Sequence, residues 1–391
     1  MALEGFVRRV RAIGRFGIDT EFVGEGRYRT LLCVVQVVVS DEEGLEVVVL
    51  DALDEATDLQ PLAGLLAEPA IEVVVHAGRQ DIALLRRFID TPVTHIFDTQ
   101  IAAGFAGLSA QAGYDTLLRE VLGVRVQKTA SYTRWDRRPL DAEQLAYARE
   151  DVLHLLDLAV ELERRLEAHD RVGWALEECR YLEGVSDARD VDAVFARLPR
   201  INSLSPAARA VARELVAWRE EVAERQDRPV STVLNDAALV EIAKRAPRTT
   251  EQLEQVRGVN PGSLRRRGSD LLATVARGSA AEPIPVTSER HEPSSPVDGP
   301  QIALAEALVR ARALEAGLAY ELIAARADLQ AIVSSVRLGR ADPDVRTLGG
   351  WRRELVGEEL LAMLRGERRL AVSATGHLAI STQKPSVAAQ G

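Results

Sequence analysis

Gly17-Ile18-Asp19-Thr20-Glu21-Phe22, read as GIDTEF, sets two carboxylates two positions apart in a stretch with strand character. Successive strand side chains point to opposite faces, so Asp19 and Glu21 share one face while Ile18, Thr20 and Phe22 point elsewhere. Two acids that converge without a counter-charge resist double ionisation. Taken alone, the stretch has two readings: the solvated face of an edge strand, or a pair of ligands closing on a cation.

Outward from this stretch, residues 16–50 carry three strand patterns, RFGIDTEF, LCVVQVVVS and LEVVVLD, the last two joined by the turn-forming DEEG. From residue 59 the pattern changes to a helix (LQPLAGLLA), a strand (IEVVVH), a helix (GRQDIALLRRFI), a short strand (HIFDT) and a helical run to about 170. An antiparallel start followed by alternation predicts an α/β domain with a mixed sheet over residues 1–170. Residues 171–200 read as a helical connector, and residues 201–278, opening on the capped SPAARAVARELVAWREEVAERQ, as a compact bundle of short helices. The Pro-, Ser- and Glu-rich stretch 279–299 predicts a flexible linker. Helical patterning then returns, so residues 300–381 are expected to form a third, all-helical domain, with a disordered tail at 382–391.

Composition narrows the function. The 391 residues carry a net charge of −10, which excludes a uniformly basic coat for nucleic acid but leaves room for local basic patches. The two cysteines, Cys33 and Cys179, are far apart and fit neither a disulfide framework nor a zinc spacing. The longest apolar run, LLCVVQVVV, is too short to span a bilayer, and MALEGFVRRVRAIG lacks the apolar core of a leader. No membrane partner is expected, and the cytoplasm is the expected location.

Two further segments carry acids. Asp81 lies in the first turn of the helix that follows IEVVVH, at the carboxyl end of the sheet where α/β sites form. An acid there is equally explained by attraction to a helix N-terminus. In LAYAREDVLHLLDL, Tyr147 and Asp151 are four apart and so share a helix face, with Leu145, Val152 and Leu155 as the packing stripe beside them. In isolation that segment reads as a helix with a boundary tyrosine and a solvated acid.

Together, in this order, GIDTEF, HAGRQD and YARED resemble the three motifs of the DEDD superfamily of 3'-5' exonucleases. LCVVQV, FDTQIAAG, LGVRVQK, WDRRPL and VGWALEEC narrow the resemblance to the bacterial ribonuclease D family, over most of residues 15–180. The bundle at 201–278 is similar to the HRDC domain, and the unit at 300–381 resembles a second, HRDC-like one. The resemblance implies a ribonuclease-H-like α/β exonuclease fold followed by all-α HRDC-type domains. It implies Asp19, Glu21, Asp81 and Asp151 as metal-holding catalytic acids, and Tyr147 as the tyrosine of the third motif. A related branch has a histidine five residues before the last acid, where this chain has Ala146, so the tyrosine branch is indicated. His154, three residues past Asp151, is read as packing or surface.

Hydrolysis of a phosphodiester needs a nucleophile, charge stabilisation and help for the leaving 3'-oxygen, which two divalent ions supply. Mg2+ and Mn2+ prefer carboxylate oxygen, so two ions of either kind are the expected cofactors. Tyrosine, with a reference pKa of about 10, is a poor base at neutral pH and better suited to orienting water. Thr20, His76 and Gln80 are candidates for the cleft, and Lys128, Arg134, Trp135, Arg137 and Arg138 for phosphate contact and base stacking. Each is equally readable as a local structural residue. The expected partner is an RNA 3' end, tRNA precursors in particular, acted on by a monomer. The alternatives are a DNA 3'-5' exonuclease and a catalytically silent nucleic-acid-binding scaffold.

Overall fold

The computed structural model describes residues 2–126, 134–259, 261–286, 295–374 and 376–382. It opens with helix α1 (Ala2–Ile13). Strands β1 (Arg15–Val23), β2 (Leu31–Asp41) and β3 (Gly44–Asp51) follow as an antiparallel meander. After α2 (Gln60–Leu66), β4 (Glu72–Val75) returns parallel to β1, and after α3 (Arg79–Ile89), β5 (Ile96–Asp98) lies parallel to β4. The mixed sheet therefore has the order β3-β2-β1-β4-β5. Its fold class is the one the motifs imply.

Strand β2 is buried along most of its length, which suits its run of β-branched residues. On one face of the sheet Phe16, Ile18, Val35, Val37 and Val73 pack with Phe6 of α1, Leu62 of α2 and Ile82 of α3. The other face is covered by α4 (Thr99–Phe105), α5 (Tyr114–Leu117), α6 (Ala142–Leu153), α7 (Leu155–Ala168) and α8 (Val172–Cys179). Gly17 is required there. A Cβ at that position would come within 2.6 Å of Val38 and 3.1 Å of Leu155, so only a bare α-carbon lets α7 approach β1.

Beyond α9 (Val191–Ala196), a bundle is built from α10 (Pro206–Arg225), α11 (Val230–Val233), α12 (Asp236–Arg245), α13 (Thr250–Glu254) and α14 (Pro261–Ala280). It has its own core around Leu215, Trp218, Leu239 and Val275. The last unit has α15 (Asp298–Ala316), α16 (Tyr320–Ile323), α17 (Arg326–Arg337), α18 (Gly350–Arg352) and α19 (Glu358–Leu364).

Three expectations are corrected. The linker at 279–299 is shorter than its composition implies, because α14 runs through Ala280, α15 starts at Asp298, and the Ile284 amide donates back to the Pro206 carbonyl at 3.0 Å. Residues 287–294 lie outside the described residues. The third unit is not all-helical, since β6 (Arg368–Val372) and β7 (Leu378–Thr382) form a hairpin. Its alternation sets Leu370 opposite Ile380, and both pack on the adjoining core. Nor does that unit have a separate core: Leu308, Leu329 and Trp351 join Phe105, Leu155 and Leu158 in one apolar cluster. The expected tail lies, apart from Thr382, outside the described residues.

Candidate active site

Strand β1 delivers Asp19 and Glu21 to the face covered by α6 and α7, and the opposite alternation sends Thr20 towards α3. Helix α6 starts at a capping box in which Asp141 and Gln144 satisfy each other's backbone amides. It buries Gln144, Ala148 and Val152, and so presents Tyr147 and Asp151 at the sheet. Leu145, expected in the packing stripe, is instead 40% exposed, because the buried face is rotated towards Gln144 and Ala148. The helical run also breaks at His154, half-buried between α6 and α7 and 3.9 Å from Asp157.

Asp19, Glu21 and Asp151 each offer a carboxylate oxygen, and these oxygens lie within 4.8 Å of one another. Asp81, buried in the first turn of α3, is tied to the group from the other side of β1, where its carboxylate accepts a hydrogen bond from the Thr20 hydroxyl. Asp19 is also held by Gln36, its neighbour in register on β2, whose amide donates to it at 2.9 Å.

The electrostatics follow from this crowding. Burial, then Asp81, Asp151 and Glu21, push the Asp19 carboxyl well above the usual carboxylate range. Burial, then Asp151 and Asp81, raise Glu21 to about 8. Asp151 is raised to about 7 by burial, opposed by the Tyr147 hydroxyl, which favours its charged form. Asp81 is raised to about 6 by burial, opposed by the Thr20 hydrogen bond. Tyr147 is held above its ordinary value by burial and then by Asp151, Glu21 and Asp19, so it remains a protonated donor. Close, half-buried carboxylates that disfavour one another's charge call for a cation, and hard oxygen donors without sulfur suit a divalent one. The residues present fit a divalent-metal centre.

The other candidates fall out differently. His76 is half-buried, with Nδ1 2.9 Å from Thr99 Oγ1 and its ring 5.4 Å from that of Tyr114, which makes it part of the β4–α4 corner. Gln80 is exposed at the start of α3. Trp135 is only 5% exposed, packed with Cys33, Val34 and Ala148. As it stands, its ring has no free face for a base and instead lies 6.1 Å from the Tyr147 ring. Arg138 is likewise engaged, with Asp51 and with the carbonyls of Cys33 and Trp135 at 2.9 and 2.6 Å, so it anchors its own loop. Arg134 pairs with Asp136 at 2.8 Å, and Arg137 is exposed. Lys128 lies outside the described residues.

Two residues went unread. Gln36 is fully buried and its Oε1 has no hydrogen-bond partner among the described residues. Its signal was available: one amide in a run of valines is costly unless it serves a polar neighbour. Tyr114, at the start of α5, is raised by burial, with Asp151 and Asp19 adding to the shift, so its hydroxyl belongs to the same electrostatic environment. Nothing in its local sequence announces this.

A family model described as a 3'-5' exonuclease matches residues 1–167, and one for the HRDC domain matches residues 208–275. Ribonuclease D of Granulibacter bethesdensis is 37% identical over 361 residues, covering 91% of this chain and 88% of that protein. Ribonuclease D of Gluconacetobacter diazotrophicus is 34% identical over 377 residues, covering 95% and 93%. Among solved structures, Escherichia coli RNase D, an exoribonuclease involved in structured RNA processing, superposes with a TM-score of 0.79 at 27% identity, covering 93% of this chain and 96% of that one.

Proposed function

We infer the finer function from the premise that this chain belongs to the ribonuclease D family and is a 3'-5' exoribonuclease. Its substrate is RNA. We propose that the RNA is a tRNA precursor with an extended 3' end, that Asp19, Glu21, Asp81 and Asp151 together hold two Mg2+ or Mn2+ ions, and that nucleoside 5'-monophosphates are released. The observation that carries this reading is the convergence of three carboxylate oxygens within 4.8 Å beside a protonated tyrosine.

When bound, such ions acidify water and offset charge on the phosphate and on the leaving 3'-oxygen. The protein's own part is positioning. Gln36 fixes the Asp19 carboxylate and Thr20 that of Asp81, so neither acid is free to rotate out of the cluster. Tyr147 donates from its neutral hydroxyl and orients the attacking water, a role its raised pKa permits and general-base catalysis does not. The water oxygen bonds to phosphorus and gives up a proton to solvent, the P–O3' bond breaks, and O3' takes a proton from solvent, so the shortened RNA leaves with a free 3'-hydroxyl and the phosphate stays on the released nucleotide.

The helical unit after residue 298 repeats the long, one-turn, medium order of α10–α12 in α15–α17, which supports reading it as a second HRDC-like domain. No helix among the described residues is long and apolar enough to cross a membrane. We place the protein in the cytoplasm, where its two buried thiols stay reduced, and take it to act as a monomer.

Product analysis on a tRNA precursor with an extended 3' end tests the whole reading. Mononucleotides should accumulate with magnesium or manganese and not with chelator. Preference for matched DNA, or cleavage indifferent to a blocked 3' end, overturns it; absence of any hydrolysis favours a binding scaffold.

A further inference from the structure

A surface cavity of about 570 Å³ opens between the last turn of α10 and the first half of α14, lined chiefly by Arg225, Gln226, Arg228, Arg266, Arg267 and Asp270. Four guanidinium groups thus face one lining carboxylate, in a chain whose net charge is −10. Two of the four are already engaged. Arg225 pairs with Glu221 at 3.2 Å, and Arg267 donates to Gln226 Oε1 at 2.6 Å. Arg228 and Arg266 are exposed and make no side-chain hydrogen bond or ion pair with another described residue. Burial, then Arg266 and Arg228, hold the Arg267 guanidinium below its ordinary value. Planar guanidinium forks around one concavity match phosphate oxygens better than any neutral ligand.

The cavity's position gives this charge a use. The turn that supplies Gln226 and Arg228 also supplies Asp227, which accepts from Arg27 Nη1 at 2.6 Å and from the Tyr28 amide at 3.2 Å. Arg27 and Tyr28 belong to the loop that leaves β1 just after Glu21. Six residues span at most about 22 Å, so the cavity's flank is fastened to a point within that reach of a catalytic acid. The cavity's flank and the acid cluster therefore lie close enough for one RNA strand to reach both.

We propose that this cavity grips the phosphodiester backbone of the RNA upstream of the 3' end being removed. The proposal rests on the exoribonuclease reading and extends it by naming where the body of the substrate is held. Of the consecutive Arg265, Arg266 and Arg267, the last two line the cavity.

The test separates binding from chemistry. Binding of an RNA hairpin with a single-stranded 3' tail is followed by fluorescence anisotropy in chelator, where no turnover occurs, for the wild type, Arg228→Ala/Arg266→Ala and Arg228→Lys/Arg266→Lys. Loss of two phosphate contacts should make the log-affinity against log-salt line shallower by about 1.4, so that a fourfold rise in salt costs the wild type about sevenfold more than the alanine variant. The lysine variant should keep the wild-type slope, because it keeps the charge. Mononucleotide release from the same tailed hairpin, with metal present and RNA at saturation, should have the same kcat in all three proteins. An alanine variant with wild-type affinity and slope, or a lysine variant as weak as the alanine one, overturns the proposal. If none of the three proteins releases mononucleotides from the tailed hairpin with metal present, the exoribonuclease reading fails instead, and the binding result still decides the cavity.

Discussion

The two helical units begin with the same order of helices but are fastened to the exonuclease domain by different forces. The unit from α10 to α14 meets the loop after β1 chiefly through polar contacts, Arg27 with Asp227 and Arg29 with Glu224, each at 2.6 Å, and Tyr28 with the buried Glu220 at 3.0 Å, with the Tyr28 ring against the edge of its core. The unit from α15 onward is joined through a core. Its Trp351 is 1% exposed, edge-on to Phe105 at a centroid distance of 5.0 Å and stacked on Trp174 at 5.2 Å. Exposed ion pairs are weak and fade with salt, whereas buried apolar area is retained in salt. The attachment of the first unit should therefore weaken more in salt than that of the second, and the first carries the basic cavity.

The largest expected effect lies in neither unit and sets the scale for both. Asp19→Asn or Asp151→Asn should reduce mononucleotide release to background with an unchanged circular dichroism spectrum; wild-type release from either would remove these acids from the mechanism. Next comes the apolar attachment. Trp351→Ala should cost about 3–5 kcal/mol in urea unfolding, and the exonuclease core should unfold in the same transition. A separate early transition for residues 298–364 would show that the shared core does not couple them.

The acid cluster itself should respond to pH. In the metal-free protein its carboxyls have folded pKa values raised to about 6 at Asp81, 7 at Asp151 and 8 at Glu21, above those of an unfolded chain. Between these values the folded state binds the extra protons, so their stabilising contribution is complete below about pH 4 and is lost as pH rises through the folded values. The melting temperature in chelator should therefore fall from about pH 5 to pH 8, with magnesium restoring more at the upper end. Asp19→Asn should flatten the fall, since it removes one of the crowded charges. A melting temperature that rises over this range would contradict the cluster's electrostatics.

The smallest effect belongs to the charged attachment. Asp227→Asn and Glu224→Gln should each cost no more than about 1 kcal/mol. Added salt should instead enlarge the radius of gyration of the wild type in small-angle scattering, through release of the α10–α14 unit. No change with salt would erase the contrast between the two attachments.

Much of this was legible in the chain because it is local. Strand alternation aimed Asp19 and Glu21 to one face, and the four-residue spacing stacked Tyr147 over Asp151. The order of strands and helices indicated the mixed sheet. What was not legible depended on packing partners remote in sequence. Trp135 and Arg138 look like a stacking ring and a phosphate contact until Cys33, Ala148 and Asp51 arrive from elsewhere to occupy them. Gln36 looks like an interruption of a core strand until register sets it opposite Asp19.

The sequence by itself determined which groups could do the chemistry, because residue type and short-range periodicity decide what a side chain is and which way it points. Only the tertiary structure decided which of those groups were free to act. Availability depends on burial and on partners tens or hundreds of residues away: Arg138 is consumed by Asp51, Asp81 is held through Thr20, and Arg228 and Arg266 are left facing an open cavity.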